Sequence, residues 1–143
     1  MRAGVSLVML LLTPVASAAH AAQAGREVVV RADVARSEIE RILNADNLDR
    51  EAMNPQDIAD SLAAIPRGRA PDDFWQAYQE HVDAWYRLAE LTEGGLIEEE
   101  GIPFDTLENA GRAISLTFGQ VQLIALSYGA RMPMPMDEVR RTA

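Results

Sequence analysis

Apolar and polar positions follow a helical period over most of this chain. The clearest stretch begins after Pro71. At about 100° per residue, Phe74, Tyr78, His81, Trp85 and Leu88 share one stripe, and Trp75, Val82, Tyr86 and Ala89 widen it. Gln76, Gln79, Glu80, Asp83, Arg87 and Glu90 fill the opposite side, with Asp83 and Arg87 spaced to pair. Pro71 opens this predicted helix, Asp72 and Asp73 complement its N-terminal dipole, and Gly94-Gly95 closes it. A second helix has equally clear punctuation. Asn54 is a good N-cap, Pro55 suits the first helical position, Ile58, Leu62 and Ile65 form the buried edge, and Pro66 ends it.

A further helix is predicted from Asp105 or Thr106 to near Tyr128, with Gly129 as its C-cap and Asp105 and Glu108 at capping-box spacing. Leu107, Ala110, Ile114, Phe118, Val121, Ala125 and Tyr128 form its main stripe. Leu116 and Leu123 lie nearly opposite, which marks a helix that is central or shared with a partner. Gly111 and Gly119 suit close helix approach, at a cost of about 1 kcal/mol each in helix propensity. Earlier in the chain, Val34, Ile39, Ile42 and Leu43 predict a helix from about Asp33 to Asn44, with Arg36 and Glu40 spaced to pair. Gly25 to Arg31 reads as a brief extended piece or a lead-in to that helix. One short β-branched run, Val28-Val29-Val30, has no partner for a sheet. The expectation is an all-α fold, a small bundle of three to four helices over residues 25–131, followed by a Met/Pro tail over 132–143.

The N-terminus carries a different pattern. Met1-Arg2 is followed by an apolar run from Val5 to Leu12, a break at Pro14, and small-x-small triplets ending at Ala18, Ala21 and Ala24. That order predicts a secretory signal peptide over residues 1–24, and hence a periplasmic or secreted protein. The apolar run is too short for a permanent span, so no membrane span is expected in the mature chain.

Composition narrows the chemistry. The chain has no cysteine, so disulfides, thiolate nucleophiles and lipoprotein anchoring are excluded. All 13 basic residues are arginine, which excludes Schiff-base and P-loop lysines. Once Arg2 is removed with the signal, 12 arginines face 22 acidic residues, a formal charge of −10. Such a chain is a poor nucleic-acid binder and is repelled by anionic lipid.

The segment Asp73-Phe74-Trp75-Gln76-Ala77-Tyr78-Gln79-Glu80-His81-Val82-Asp83-Ala84-Trp85, with Pro71 just before it, resembles the D-F-x-x-A-Y-x-x-H-x-x-A-W signature of small exported helical proteins of proteobacteria. The resemblance covers roughly a tenth of the chain, beside the signal peptide. Ala70 stands where that pattern often has a cysteine. The resemblance implies export and a helical fold and supplies no activity.

Candidate sites are few. The Asn44–Asn54 connection is dense in Asn and Asp, but it lacks the glycine and the ligand register of a calcium loop and reads as a solvated turn. Arg67 and Arg69, between Pro66 and Pro71, suit a phosphate or carboxylate, or are simply solvated. Glu98-Glu99-Glu100 reads as a solvated acidic run. His81 is the only histidine certain to survive cleavage. On an aromatic stripe it reads first as a hydrogen-bonded core residue; the alternatives are a ligand of non-covalent haem or the centre of an enzyme using Glu80 or Asp83. Tyr78 stands where a di-iron bundle would need glutamate. Met132, Met134 and Met136 alternate with prolines, a spacing that suits Cu(I) or Ag(I), or methionines packed on the bundle. Partner contacts are expected at Trp75 and Tyr86, or along Leu116 and Leu123, where they would support self-association. The functional expectation is a non-enzymatic binding or interaction module of the cell envelope.

Overall fold

The structure is a computed structural model that describes residues 15–93 and 104–142. Every regular element among the described residues is helical. The helices are α1 (Val15–Asp46), α2 (Pro55–Ala63), α3 (Asp72–Glu93), α4 (Phe104–Ser127) and α5 (Met136–Thr142), with one 3-10 turn at Arg50–Ala52. The chain divides into two compact units, residues 1–31 and 32–143. No helix among the described residues is long and apolar enough to cross a membrane. The Gly94-Gly95 stop and the triple-glutamate run lie outside the described residues.

In the first unit, residues 18–31 are exposed helix. The helix expected to begin near Asp33 therefore extends back through Gly25–Arg31 to Val15, and the extended alternative for that segment is not taken. Adding residues to an existing helix fixes one residue per hydrogen bond, and the alanine-rich sequence before Gly25 favours that extension.

The second unit holds the core. Ile39, Ile42 and Leu43 of α1, Ile58 and Leu62 of α2, Phe74, Tyr78, Val82 and Trp85 of α3, and Val121 and Ala125 of α4 form one buried cluster. Helix α3 packs against both α2 and α4. Each fully buried Ile, Leu or Phe contributes about 1.5–3 kcal/mol relative to exposure.

Local signals decide where the elements stop. The Asn54 carboxamide oxygen accepts the Asp57 N–H at 2.9 Å, with Pro55 at the first helical position. The Pro71 carbonyl accepts the Trp75 N–H at 2.9 Å at the start of α3. After Ser127 the Gly129 N–H reaches the Leu126 carbonyl at 2.9 Å, and Gly129 takes φ +73°. Between α2 and α3, Gly68 sits at φ +58° over the Glu38–Arg41 ion pair, where a side chain would collide with the Glu38 carboxylate.

Several expected pairings are replaced. Arg36 pairs with Asp33 rather than Glu40, and Glu40 instead accepts the Arg131 N–H at 2.9 Å. Asp83 and Arg87 form no ion pair. Glu108 pairs with Arg112 instead of closing a capping box, and α4 starts at Phe104. Exposed carboxylates choose among several arginines at little energetic difference. A β-carbon on Gly111 or Gly119 would meet nothing within 4 Å, so neither glycine serves a close approach within the chain. The 132–143 segment is not a tail throughout, because α5 begins at Met136.

Candidate functional site

The most polar part of the core lies where α1 ends. Asp46 continues the stripe of Ile42 and Leu43 at helical spacing, which carries its carboxylate inward, and only 2% of the residue is exposed. Tight turns then reverse the chain, with the Leu48 N–H on the Asp46 carbonyl and the Arg50 N–H on the Leu48 carbonyl. Arg50 thereby returns to Asp46, and its Nη2 donates to Asp46 Oδ1 at 2.9 Å. The guanidinium also lies over two rings, 5.5 Å from the centroid of Trp85 and 5.8 Å from that of Phe118. Burial raises the Asp46 pKa, opposed by the charge and hydrogen bond of Arg50.

Next to this pair, α3 presents a row of rings. Trp75 stacks on Tyr78 at 5.6 Å, and His81 lies 6.5 Å from Tyr78, 6.5 Å from Trp85 and 5.1 Å from Phe118. His81 is 1% exposed. Its tautomer follows from its neighbours. The Thr117 hydroxyl sits 2.8 and 3.0 Å from the Ala113 and Ile114 carbonyls and donates to its own helix. Thr117 Oγ1 can then only accept from His81 Nδ1, at 3.0 Å. His81 Nε2, left without a proton, accepts the Trp85 indole N–H at 3.3 Å. A second proton on the ring would confront that N–H donor-to-donor. Burial, followed by the charge of Arg50, lowers the His81 pKa to about 4, against a smaller opposing interaction of the ring N–H with the Ile114 backbone carbonyl, which accepts.

This arrangement fits structure better than proton transfer. A general base works best with a pKa near the working pH and needs its nitrogen to accept the nucleophile's proton. Here the histidine donates to the hydroxyl. Both ring nitrogens are engaged within the chain, and Glu80 and Asp83 are exposed, away from the buried ring. Burial likewise raises the Tyr78 phenol, whose hydroxyl lies 3.4 Å from the Leu62 carbonyl.

The Asp46–Arg50 pair also lines a cleft of about 120 Å³ under the segment joining α4 to α5. Met132 and Pro133 form one wall and Leu43 and Phe118 another. The three methionines therefore have different surroundings: Met132 packs against the core, Met134 is exposed, and Met136 borders a neighbouring depression. Among the described residues, no group of three histidine, aspartate or glutamate side chains is placed to hold a metal ion.

The remaining predicted residues fall on the surface. Trp75 and Tyr86 are half-buried against the core, and the Tyr86 hydroxyl donates to Asp60 at 2.8 Å. Arg67 is used locally, on Asp72 and on the Ala70 carbonyl. Leu116 and Leu123 lie open at 68% and 65%, joined by Leu126 at 58%. With Ser115, Gly119, Gln120 and Gln122 they line a shallow groove along α4.

Asp46 and Arg50 were not among the residues expected to matter, because the Asn44–Asn54 connection reads as solvated. The i, i+4 spacing of the pair, and the position of Asp46 on the Ile42–Leu43 stripe, were the available signals.

No protein-family model matches the chain, and neither a curated protein nor a solved structure similar to it was found.

Proposed function

We propose that this protein is an exported, non-enzymatic interaction module of the cell envelope that pairs with a second copy of itself through the open face of α4. The observation that carries this reading is the exposure of Leu116, Leu123 and Leu126 together on one helix face. Contiguous exposed apolar residues of this size are the usual mark of a contact surface.

Three features favour a second copy as the occupant. No charged residue occurs from Ala113 to Ala130, so this face avoids the mutual repulsion of two acidic chains. Ser115, Gln120 and Gln122 border the leucines as neutral polar residues, the composition of a contact rim. An antiparallel pairing with its axis beside Gly119 sets Leu123 against Ser115 of the second copy and Leu116 against Gln122 of the second copy. Gly119, whose openness serves nothing within the chain, then admits the facing backbone. The anionic leaflet is a poor rival, because it repels a chain of this charge. Export rests on the pattern of residues 1–24.

Sedimentation of the protein purified after export from its host tests the reading, with its intact mass read alongside. A concentration-dependent dimer that Leu116→Glu/Leu123→Glu converts to monomer, with unchanged helicity, is the expected result. A monomer at all concentrations sinks the pairing. An intact mass that still includes residues 1–24 sinks the export.

A further inference from the structure

The methionine-proline segment after α4 is fastened to the bundle in an unusual way. Residues 131–135 run without helical structure, and Pro133 and Pro135 have no N–H to donate. Three polar ties hold the segment and α5 to α1 and the turn that follows it. Glu40 accepts the Arg131 N–H at 2.9 Å, the Asn47 carboxamide donates to the Met134 carbonyl at 2.8 Å, and Arg140 pairs with Asp49. All three lie at exposed positions, where such ties are weak. Helix α5 has seven residues, too few to hold itself. Beyond Ala130, Met132 is the one hydrophobic side chain among the described residues that packs against the core. The segment is therefore a strap with a single apolar anchor.

That anchor can be changed chemically. The chain has no cysteine, which leaves methionine as its oxidisable sulfur. Met132 is half-buried and lines the cleft of about 120 Å³ with Leu43 and Phe118, a volume ample for a peroxide molecule. Attack of the thioether sulfur on a peroxide oxygen breaks the O–O bond, forms the S–O bond and releases water. Sulfur loses two electrons and the peroxide gains them. The product is polar, and its oxygen is better solvated in water than against Leu43 and Phe118. Reduction by a dithiol through a sulfoxide reductase removes the oxygen as water and leaves a disulfide in the reductant.

We propose that Met132 is a site of reversible oxidation by peroxide, and that its sulfoxide frees the strap over residues 131–142 and uncovers the Leu43 and Phe118 wall. Met134 and Met136 are open to solvent, and their oxidation lacks this effect. The switch is independent of the α4 face and of the pairing proposed for it.

The test treats the folded protein with hydrogen peroxide. Peptide masses identify the oxidised methionines, and trypsin cleavage after Arg131 reads the freedom of the strap, normalised to the same bond in a free peptide. With Met132 oxidised, the parent should be cut about tenfold faster there, because cleavage tracks the open fraction of a folded chain. Methionine sulfoxide reductase with dithiothreitol should restore the original rate. Met132→Leu keeps the apolar anchor without the sulfur, so peroxide should leave its rate unchanged while its other methionines oxidise. The Met134→Leu/Met136→Leu protein should respond as the parent does. Met132→Gln should be cut faster with no peroxide added. A Met132 that resists peroxide until the fold melts, an oxidised Met132 without faster cleavage, an equal rise in Met132→Leu, or a release that the reductase does not reverse overturns the proposal.

Discussion

Replacing His81 with glutamine should remove a pH dependence from the stability of the fold. In the folded protein the ring is held neutral, with a pKa of about 4, against 6.5 for an ordinary histidine. The unfolded chain therefore takes up a proton below pH 6.5 that the folded chain refuses until about pH 4, and stability falls across that window as pH falls. Above pH 6.5 both states are neutral and nothing is lost. Worked from the two values, the loss is about 2 kcal/mol by pH 5 and about 3 kcal/mol by pH 4. Glutamine keeps a donor and an acceptor in the same place but does not titrate. Other groups complicate a single curve: Asp46, with its raised pKa, gains stability on protonation and opposes the trend. They are common to both proteins and cancel in the difference. The assay is urea unfolding of parent and His81→Gln protein between pH 7.5 and 5, followed by tryptophan fluorescence. The gap between them should close, in favour of the variant, by about 2 kcal/mol. Curves that stay parallel within about 0.5 kcal/mol would show that His81 protonates normally in the fold, and the Trp85–His81–Thr117 hydrogen-bond order would then be wrong.

Arg50→Ala should cost about 2–4 kcal/mol at neutral pH, because it leaves the Asp46 carboxylate buried without its partner. That cost should shrink as pH falls and Asp46 becomes protonated, which the same unfolding series measures. Gly111→Ala should stabilise α4 by about 1 kcal/mol, since the added carbon meets nothing within the chain. Gly119→Ala should stabilise the monomer similarly while weakening self-association, a divergence visible by comparing thermal unfolding with sedimentation.

Much of the fold was legible as pattern. The stripe from Phe74 to Trp85 is core, the Asn54-Pro55 start and the Gly129 stop fall where they were expected, and Leu116 and Leu123 lie on the side of α4 away from its buried stripe, where their angle placed them. These features depend on local chemistry: a cap needs an oxygen and a free N–H, and a helical face needs only a period. Exposed ion pairs were less legible. Arg36 had two acidic neighbours of nearly equal worth, and spacing alone does not rank them.

By itself the sequence determined α2, α3 and α4, their buried faces and the neutral outer face of α4, because each follows from residues within a few turns of one another. The tertiary structure decided the polar site. Asp46 and Arg50 meet through a turn whose course depends on the helices around it, and the ring of His81 is neutral because residues of α3 and α4 surround it. Met132 joins the cleft through the segment after α4, which Arg131 ties to Glu40 and Met134 to Asn47. Desolvation and hydrogen-bond direction depend on neighbours far apart in the chain, and only the assembled core brings those neighbours together.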